Sequence, residues 1–296
     1  MLKLLKILFF CALVGGIIGW IATTPKGIDA KRYTGLIGDA GRGALVYAAG
    51  GCSSCHAAPK AKGDNKNILM GGLHFATDFG TFIAPNISPS DAGIGGWSVI
   101  DLANAMQAGV SPDGAHYYPA FPYTSYNRMT AGDIADLHAY MQTLPKSDVL
   151  SQPHQVGFPF NIRRAMGGWK LLFQTGRAVA DIDTTDPVLA RGQYLVEGPG
   201  HCAECHTPRN LLGGMKMSKW MAGGPNPDGP GRIPNITPHA LKWSAEEIAE
   251  YLNSGFTPEF DTVGGSMVAV QENMALLSDD DRMAIAQYLK AIDAVE

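Results

Sequence analysis

Cys52-Ser53-Ser54-Cys55-His56 and Cys202-Ala203-Glu204-Cys205-His206 both read C-x-x-C-H. This pentapeptide is the attachment signal for a c-type haem: two thiols are spaced to form thioethers with the porphyrin vinyl groups, and the adjoining imidazole reaches the iron from the same side. A zinc site would need four tetrahedral ligands with a spaced second pair, whereas each motif would crowd three donors into five residues. A thioredoxin-like pair would sit beside a βαβ pattern, and none flanks these motifs. The expectation is two covalently bound haem c groups, one on Cys52, Cys55 and His56, the other on Cys202, Cys205 and His206.

The surroundings of the motifs repeat as well. Arg42-Gly43 precedes the first motif and Arg191-Gly192 the second. Pro85-Asn86-Ile87-Ser88-Pro89 returns as Pro234-Asn235-Ile236-Thr237-Pro238, Trp97-Ser98 as Trp243-Ser244, Gly109 as Gly255, and Tyr140 as Tyr288. A near-constant offset over so long a stretch marks a duplicated unit. The division read from it is an anchor over 1–24, one copy over 33–146, a connecting segment over 147–186 and a second copy over 187–296. The connecting segment is too apolar for a free linker, with Phe158-Pro159-Phe160-Asn161-Ile162 and Gly168-Trp169-Lys170-Leu171-Leu172-Phe173, and is expected to pack across both copies.

Each copy reads as helical. Short helices over 42–49 and 191–197 lead into the motifs. Serine caps at Ser98 and Ser244 open helices over 99–108 and 245–253, the second with a capping box through Glu247. Thr130 and Ser278 open the last helix of each copy, where Ile134, Leu137, Tyr140 and Leu144 fall at helical spacing. Strand signals are nearly absent. The fold expected is all-α, two tandem loop-rich units preceded by an N-terminal transmembrane helix.

Composition agrees. The 296 residues are 46% hydrophobic and 17% charged, enough apolar material for packed cores; 36 glycines and 19 prolines without a G-X-Y period indicate loops wrapped around something. A net charge of −4 gives no electrostatic basis for binding nucleic acid. The acid concentrates in residues 187–296, with eight basic against fourteen acidic side chains, a solvated face that also suits docking to a basic partner.

Residues 7–22 carry no charge, and residues 2–22 as a helix would span about 30 Å, a hydrocarbon core. A cleaved signal peptide or an anchor fits; no clear A-x-A site follows Trp20, which favours the anchor. Cys11 within it reads as an inert apolar side chain. Because c-type haem is attached outside the cytoplasmic membrane in bacteria, the bulk of the chain is expected in the periplasm, on a single-pass inner-membrane anchor.

The whole resembles class I cytochromes c, and more closely the cytochrome c subunits of bacterial membrane-bound alcohol and fructose dehydrogenases. The resemblance rests on Gly71-Gly72, Phe79-Gly80-Thr81-Phe82, Pro85-Asn86-Ile87, Gly93-Ile94-Gly95, Tyr118-Pro119-Ala120-Phe121-Pro122-Tyr123, Phe158-Pro159-Phe160-Asn161 and His206-Thr207-Pro208-Arg209-Asn210. The chain departs from those subunits in having two C-x-x-C-H motifs rather than three and no apolar run after its last helix. The resemblance implies that His56 and His206 are the proximal ligands and that a proline carbonyl, from Pro59 and Pro208, accepts the other imidazole N–H. Arg42 and Arg191 could neutralise haem propionates or serve as helix-end charges.

The sixth ligand separates a carrier from an enzyme, since methionine closes the iron and an open position permits catalysis. For the second iron the candidate is Met267, in a loop before Ser278, with Met274 as the alternative. For the first, many relatives place a methionine where this chain has Phe121. Met129 is the candidate there, against a reading as a packing residue, with His74 and His116 as rivals. Met106, Met141, Met215, Met217, Met221 and Met283 read as packing, and His138, His154, His201 and His239 as structural.

The function expected is a membrane-anchored dihaem electron carrier. It would accept electrons from a periplasmic dehydrogenase and pass them to a soluble cytochrome c, an oxidase or a quinone-linked complex. One alternative is a dihaem oxidoreductase of the peroxidase or thiosulfate dehydrogenase kind with one catalytic haem; another is a carrier tethered in an oxidase supercomplex. No catalytic triad, paired-carboxylate site or phosphate loop stands out, so no catalytic residue is assigned.

Overall fold

The computed structural model describes residues 1–226 and 229–296. It begins with α1 (Leu2–Ala22), whose mean hydropathy of 2.3 and length of 21 residues suffice to cross a bilayer. Its only charges, Lys3 and Lys6, lie near its start, and none of its side chains is buried against the rest of the chain. Its C-terminal end is docked, not free. The Arg164 guanidinium lies 4.2 Å from the Trp20 ring centroid, and His116 Nε2 donates to the Thr23 carbonyl at 2.9 Å.

The first half holds α2 (Ala40–Ala49), α3 (Cys52–His56), a hairpin of β1 (His74–Thr77) and β2 (Gly80–Ile83), then α4 (Val99–Ala103), α5 (Tyr123–Tyr126) and α6 (Ala131–Met141). A connecting stretch carries α7 (Ala165–Phe173). The second half holds α8 (Pro187–Glu197), α9 (Ala203–His206), a minimal hairpin of β3 (Gly224–Pro225) and β4 (Arg232–Ile233), then α10 (Ala245–Ser254), α11 (Met267–Met274) and α12 (Asp279–Ala291).

Local chemistry explains where the helices start. The Asp39 carboxylate accepts the Arg42 N–H at the head of α2. Asp186 accepts from Val188 and Leu189 at the head of α8, where Pro187 takes the first helical position that needs no N–H. Ser98 with Asp101 and Ser244 with Glu247 form reciprocal capping boxes, so the first half has a box as well, built with aspartate.

In each half the leading helix crosses the closing one, α2 on α6 and α8 on α12. Glycine makes the crossings possible. A Cβ on Gly43 would stand 2.0 Å from the Asp136 carbonyl oxygen, and one on Gly192 2.0 Å from that of Ala284. Two apolar clusters result. One gathers Tyr47, Leu102, Met106, Met129, Ile134 and Met141, the other Val196, Trp220, Met221, Ile248, Met274 and Tyr288.

Two local expectations are corrected. The helix expected over 99–108 is α-helical only to Ala103 and continues as a π turn over Asn104–Ala108, where the Asn104 side chain accepts the Ile28 N–H. The loop expected after the first motif contains the β1–β2 ribbon, which pairs Phe75 with Phe82 and turns at Gly80, φ +128°.

Residues 147–186 touch both halves. The Asn86 amide donates to the Ser147 and Val149 carbonyls, both at 2.8 Å, and Thr81 pairs with Gln155. At the far end Trp169 Nε1 donates to the Leu212 carbonyl at 2.8 Å, and the buried Glu197 carboxylate accepts the Val179 and Ala180 N–H groups.

Candidate haem-binding sites

A single helical turn brings residues i, i+3 and i+4 to one face. That places Cys52, Cys55 and His56 together on α3, and Cys205 and His206 on α9 with Cys202 at its N-cap. Burial pushes the Cys52 and Cys202 thiols up to about 12, so both sulfurs keep their protons near neutral pH. Burial also holds the His56 and His206 imidazoles below the usual histidine range, partly offset by a hydrogen bond, and neutral imidazole is the ligating form.

That hydrogen bond is the same in both halves. His56 Nδ1 donates to the Pro85 carbonyl at 2.9 Å, and His206 Nδ1 to the Pro234 carbonyl at 2.9 Å. The acceptors are therefore the prolines of the two Pro-Asn-Ile segments, not Pro59 and Pro208; the Pro208 carbonyl instead accepts the Lys216 N–H at 2.8 Å. The imidazole bond fixes the tautomer and leaves Nε2 as the nitrogen for a metal.

A glycine positions each acceptor. Gly71 (φ +76°) and Gly223 (φ +74°) donate their N–H groups to the carbonyls of His56 and His206, both at 2.7 Å. A Cβ on Gly71 would fall 2.5 Å from the Pro85 carbonyl carbon, and one on Gly223 2.7 Å from that of Pro234. Asn86 and Asn235 then tie each segment to the chain that leaves the closing helix, through the Ser147 and Val295 carbonyls. The donor set fits a haem in each half: two thiols, one oriented neutral imidazole, and side chains kept close by glycine.

Met267 is the first residue of α11, half-buried against the second cluster, where a loop was expected. Met274, on the same helix, is buried in that cluster, and Met221 is fully buried. Met129 is 2% exposed within the first cluster, and its carbonyl accepts from Gln107. Phe121 is half-buried, with the Tyr117 and Tyr126 rings 5.8 and 5.7 Å away. His116 spends both ring nitrogens on Thr23 and Lys170, while His74 is exposed on β1.

Arg42 and Arg191 pair with carboxylates of the closing helices. Arg42 makes two bonds to Asp136, at 2.7 and 2.8 Å, and Arg191 two to Asp281, at 2.7 and 2.9 Å, so each clamps the leading helix to the closing helix. Trp97 accepts from His138 through its carbonyl, and Trp243 packs on Tyr251, ring centroids 5.2 Å apart.

The residues that sequence reading missed lie between the halves. Thr124 and Ser125 on α5 donate to Glu204, inside the second motif, at 2.9 and 3.2 Å. Asn273 on α11 donates to Ser54, inside the first motif, and Glu272 pairs with Lys66. Tyr194 on α8 donates to Asp133 on α6. No local pattern announces such contacts. The x positions of the two motifs, Ser-Ser and Ala-Glu, carried the only hint, since both include groups able to bond outward.

A model of the family described as Cytochrome c matches residues 40–145. Over 285 residues the chain is 54% identical to a protein of Cereibacter sphaeroides named "Diheme cytochrome c-type", with 96% of each chain covered. Over 274 residues it is 38% identical to a nicotinate dehydrogenase subunit of Pseudomonas putida, covering 91% of this chain and 22% of that one. Over 260 residues it is 35% identical to the fructose dehydrogenase cytochrome subunit of Gluconobacter japonicus, covering 86% of this chain and 52% of that one.

Proposed function

The chain belongs to the dihaem c-type cytochromes, electron-transfer proteins, and from that premise we propose that it is a membrane-anchored periplasmic carrier serving a dehydrogenase. The observation that carries this reading is the mirrored pair of C-x-x-C-H turns, each with its imidazole held by a proline carbonyl at 2.9 Å. In this reading the chain is two tandem cytochrome c units over 33–146 and 187–296. Cys52 and Cys55 would hold one haem and Cys202 and Cys205 the other, each through two thioether links. When bound, each haem supplies a one-electron iron couple.

The polypeptide supplies position and surroundings. The Pro85 and Pro234 carbonyls keep a proton on Nδ1 of His56 and His206, which fixes each ring and leaves Nε2 as the nitrogen that would bind a metal. Met267 is the proposed sixth ligand of the second iron. The α5 and α11 helices bind each motif to the opposite half, and residues 147–186 contact both halves, contacts that would hold the two haems at a set distance from each other.

The donor proposed is a dehydrogenase, as the names of the nicotinate and fructose dehydrogenase relatives suggest for their own complexes. The proposed acceptor is a soluble basic cytochrome c docking on the acidic second half, with an oxidase or a quinone-linked complex beyond it. The α1 helix holds the assembly at the inner membrane.

The test is purification of the full chain from native membranes, with mass measurement and identification of what travels with it. Two haem adducts and a co-purifying dehydrogenase support the proposal. A chain with fewer than two adducts, or one that no dehydrogenase reduces, overturns it. Reduction of a soluble basic cytochrome c should slow as salt is raised, because screening weakens attraction between exposed charges.

A further inference from the structure

We infer that the two irons differ in their sixth position: the second takes Met267, whereas the first has Phe121 in the corresponding place and binds a neutral diatomic ligand such as carbon monoxide or nitric oxide. The inference rests on the two-haem reading above.

The internal repeat sets the correspondence. The Tyr117 N–H donates to the Gly109 carbonyl and the Val263 N–H to the Gly255 carbonyl, both at 2.8 Å. Val110 pairs with His116, and Phe256 with Thr262. These matched closures hold an offset of 146 residues as far as Tyr117 and Val263; carried four residues further, before α5 begins at Tyr123, that offset sets Phe121 opposite Met267. Further on the register slips by two residues. The Met129 N–H donates to the Tyr126 carbonyl and the Leu277 N–H to the Met274 carbonyl, each just before the cap of the closing helix. Met129 therefore matches Leu277, not Met267.

Burial agrees with this. A side chain that faces a haem is covered by the haem, so the polypeptide alone leaves part of it accessible. Met267, His56 and His206 are half-buried in that sense. Protein atoms alone cover Met129 to 2% exposure, and Met106 and Met141 to 5% and 3%, all within one packed cluster. Met70 lines a cavity with Pro59, Gly71 and Ala84, next to the Pro85 carbonyl that holds His56, so it stands on the histidine side.

The histidines are committed elsewhere or lie outside. His116 bonds Thr23 and Lys170, His138 bonds the Trp97 carbonyl, His154 accepts the Ile83 N–H, and His74 is exposed on β1. Phe121 offers no donor atom and sits among the rings of Tyr117, Tyr123 and Tyr126. The Lys170 ammonium over the Tyr123 ring is spent on the Ala108 and Gly109 carbonyls, so the aromatic surrounding favours a neutral ligand over an anion.

The test uses the full dihaem protein, first shown by mass to carry two haems; fewer than two would sink the haem reading itself. Reduced with dithionite and titrated with carbon monoxide, the protein should bind about one molecule per chain. Phe121→Met should abolish that binding and roughly double the ferric methionine–iron band near 695 nm. Met267→Leu should remove the band, and Met129→Leu should change neither the stoichiometry nor the band. A two-haem wild-type protein that binds no carbon monoxide overturns the inference, as does loss of half the band in Met129→Leu. If Phe121→Met does not fold, the wild-type titration and Met129→Leu decide the question alone.

Discussion

Asn273 donates its side-chain amide to the Ser54 hydroxyl at 2.8 Å, which seats a helix of the second half on the turn between Cys52 and Cys55. Thr124 does the reverse, donating at 2.9 Å to Glu204 between Cys202 and Cys205. Each haem-attachment turn is thus gripped by the helix that precedes the closing helix of the other half. The halves are therefore coupled where electrons would cross.

Removing this grip should loosen the halves together. Glu204 accepts from Thr124, Ser125 and Arg209, so Glu204→Ala leaves several donors unmatched. The expected loss is about 1–3 kcal/mol of stability, read from the urea midpoint of the dihaem protein. Glu204→Gln should recover part of it. An unchanged midpoint in the alanine variant would mean that the contact carries no weight.

Acid should weaken the clamp between α2 and α6. The hydrogen bonds from Arg42 hold the Asp136 carboxyl below the usual aspartate range. A depressed folded value means the unfolded chain binds more protons in acid. The contribution is therefore full above the unfolded value and is lost as pH falls through the folded one. Thermal midpoints should begin to drop below about pH 4, and Asp136→Asn should be less stable at neutral pH with a flatter acid slope. Parallel acid slopes in the two proteins would assign the effect to other carboxylates.

The glycines beside the proline acceptors should tune one haem each. Gly71→Ala would force a Cβ into the Pro85 carbonyl at a positive φ, pulling the acceptor away from His56. Gly223→Ala would do the same to Pro234 and His206. A redox titration should show one potential moved in each variant, a different one each time, because the hydrogen bond sets the basicity of the proximal imidazole. Both potentials moving in both variants would contradict the local assignment.

Deleting residues 2–22, with an export signal supplied in their place, should move the protein from membranes to the soluble periplasmic fraction with both haems attached. Protein that still sediments with membranes would mean that α1 is not what holds it there.

Much of the site was legible in the sequence because its chemistry is local. Paired thiols with an adjoining imidazole fit within one helical turn, and the serine, threonine and aspartate caps act within three residues. The repeat of Pro-Asn-Ile, Trp-Ser and the glycines announced two matched halves. Yet the resemblance to cytochromes c implied Pro59 and Pro208 as acceptors, prolines that follow the histidines closely along the chain. The acceptors are 29 and 28 residues from their histidines, and positive-φ glycines bring them back. Arg42 and Arg191 likewise find carboxylates on the closing helices, 94 and 90 residues on.

By itself, then, the sequence determined the two C-x-x-C-H turns, the helix starts, the repeated segments and the apolar leading segment, since these depend on residue type and short spacing. Tertiary structure alone decided which carbonyl holds each imidazole, that Met129 lies within a packed core while Met267 stays half-covered, and that each half grips the motif of the other. Those outcomes depend on how distant segments close on one another. Such closure is set by packing over the whole fold, and no stretch of neighbouring residues contains it.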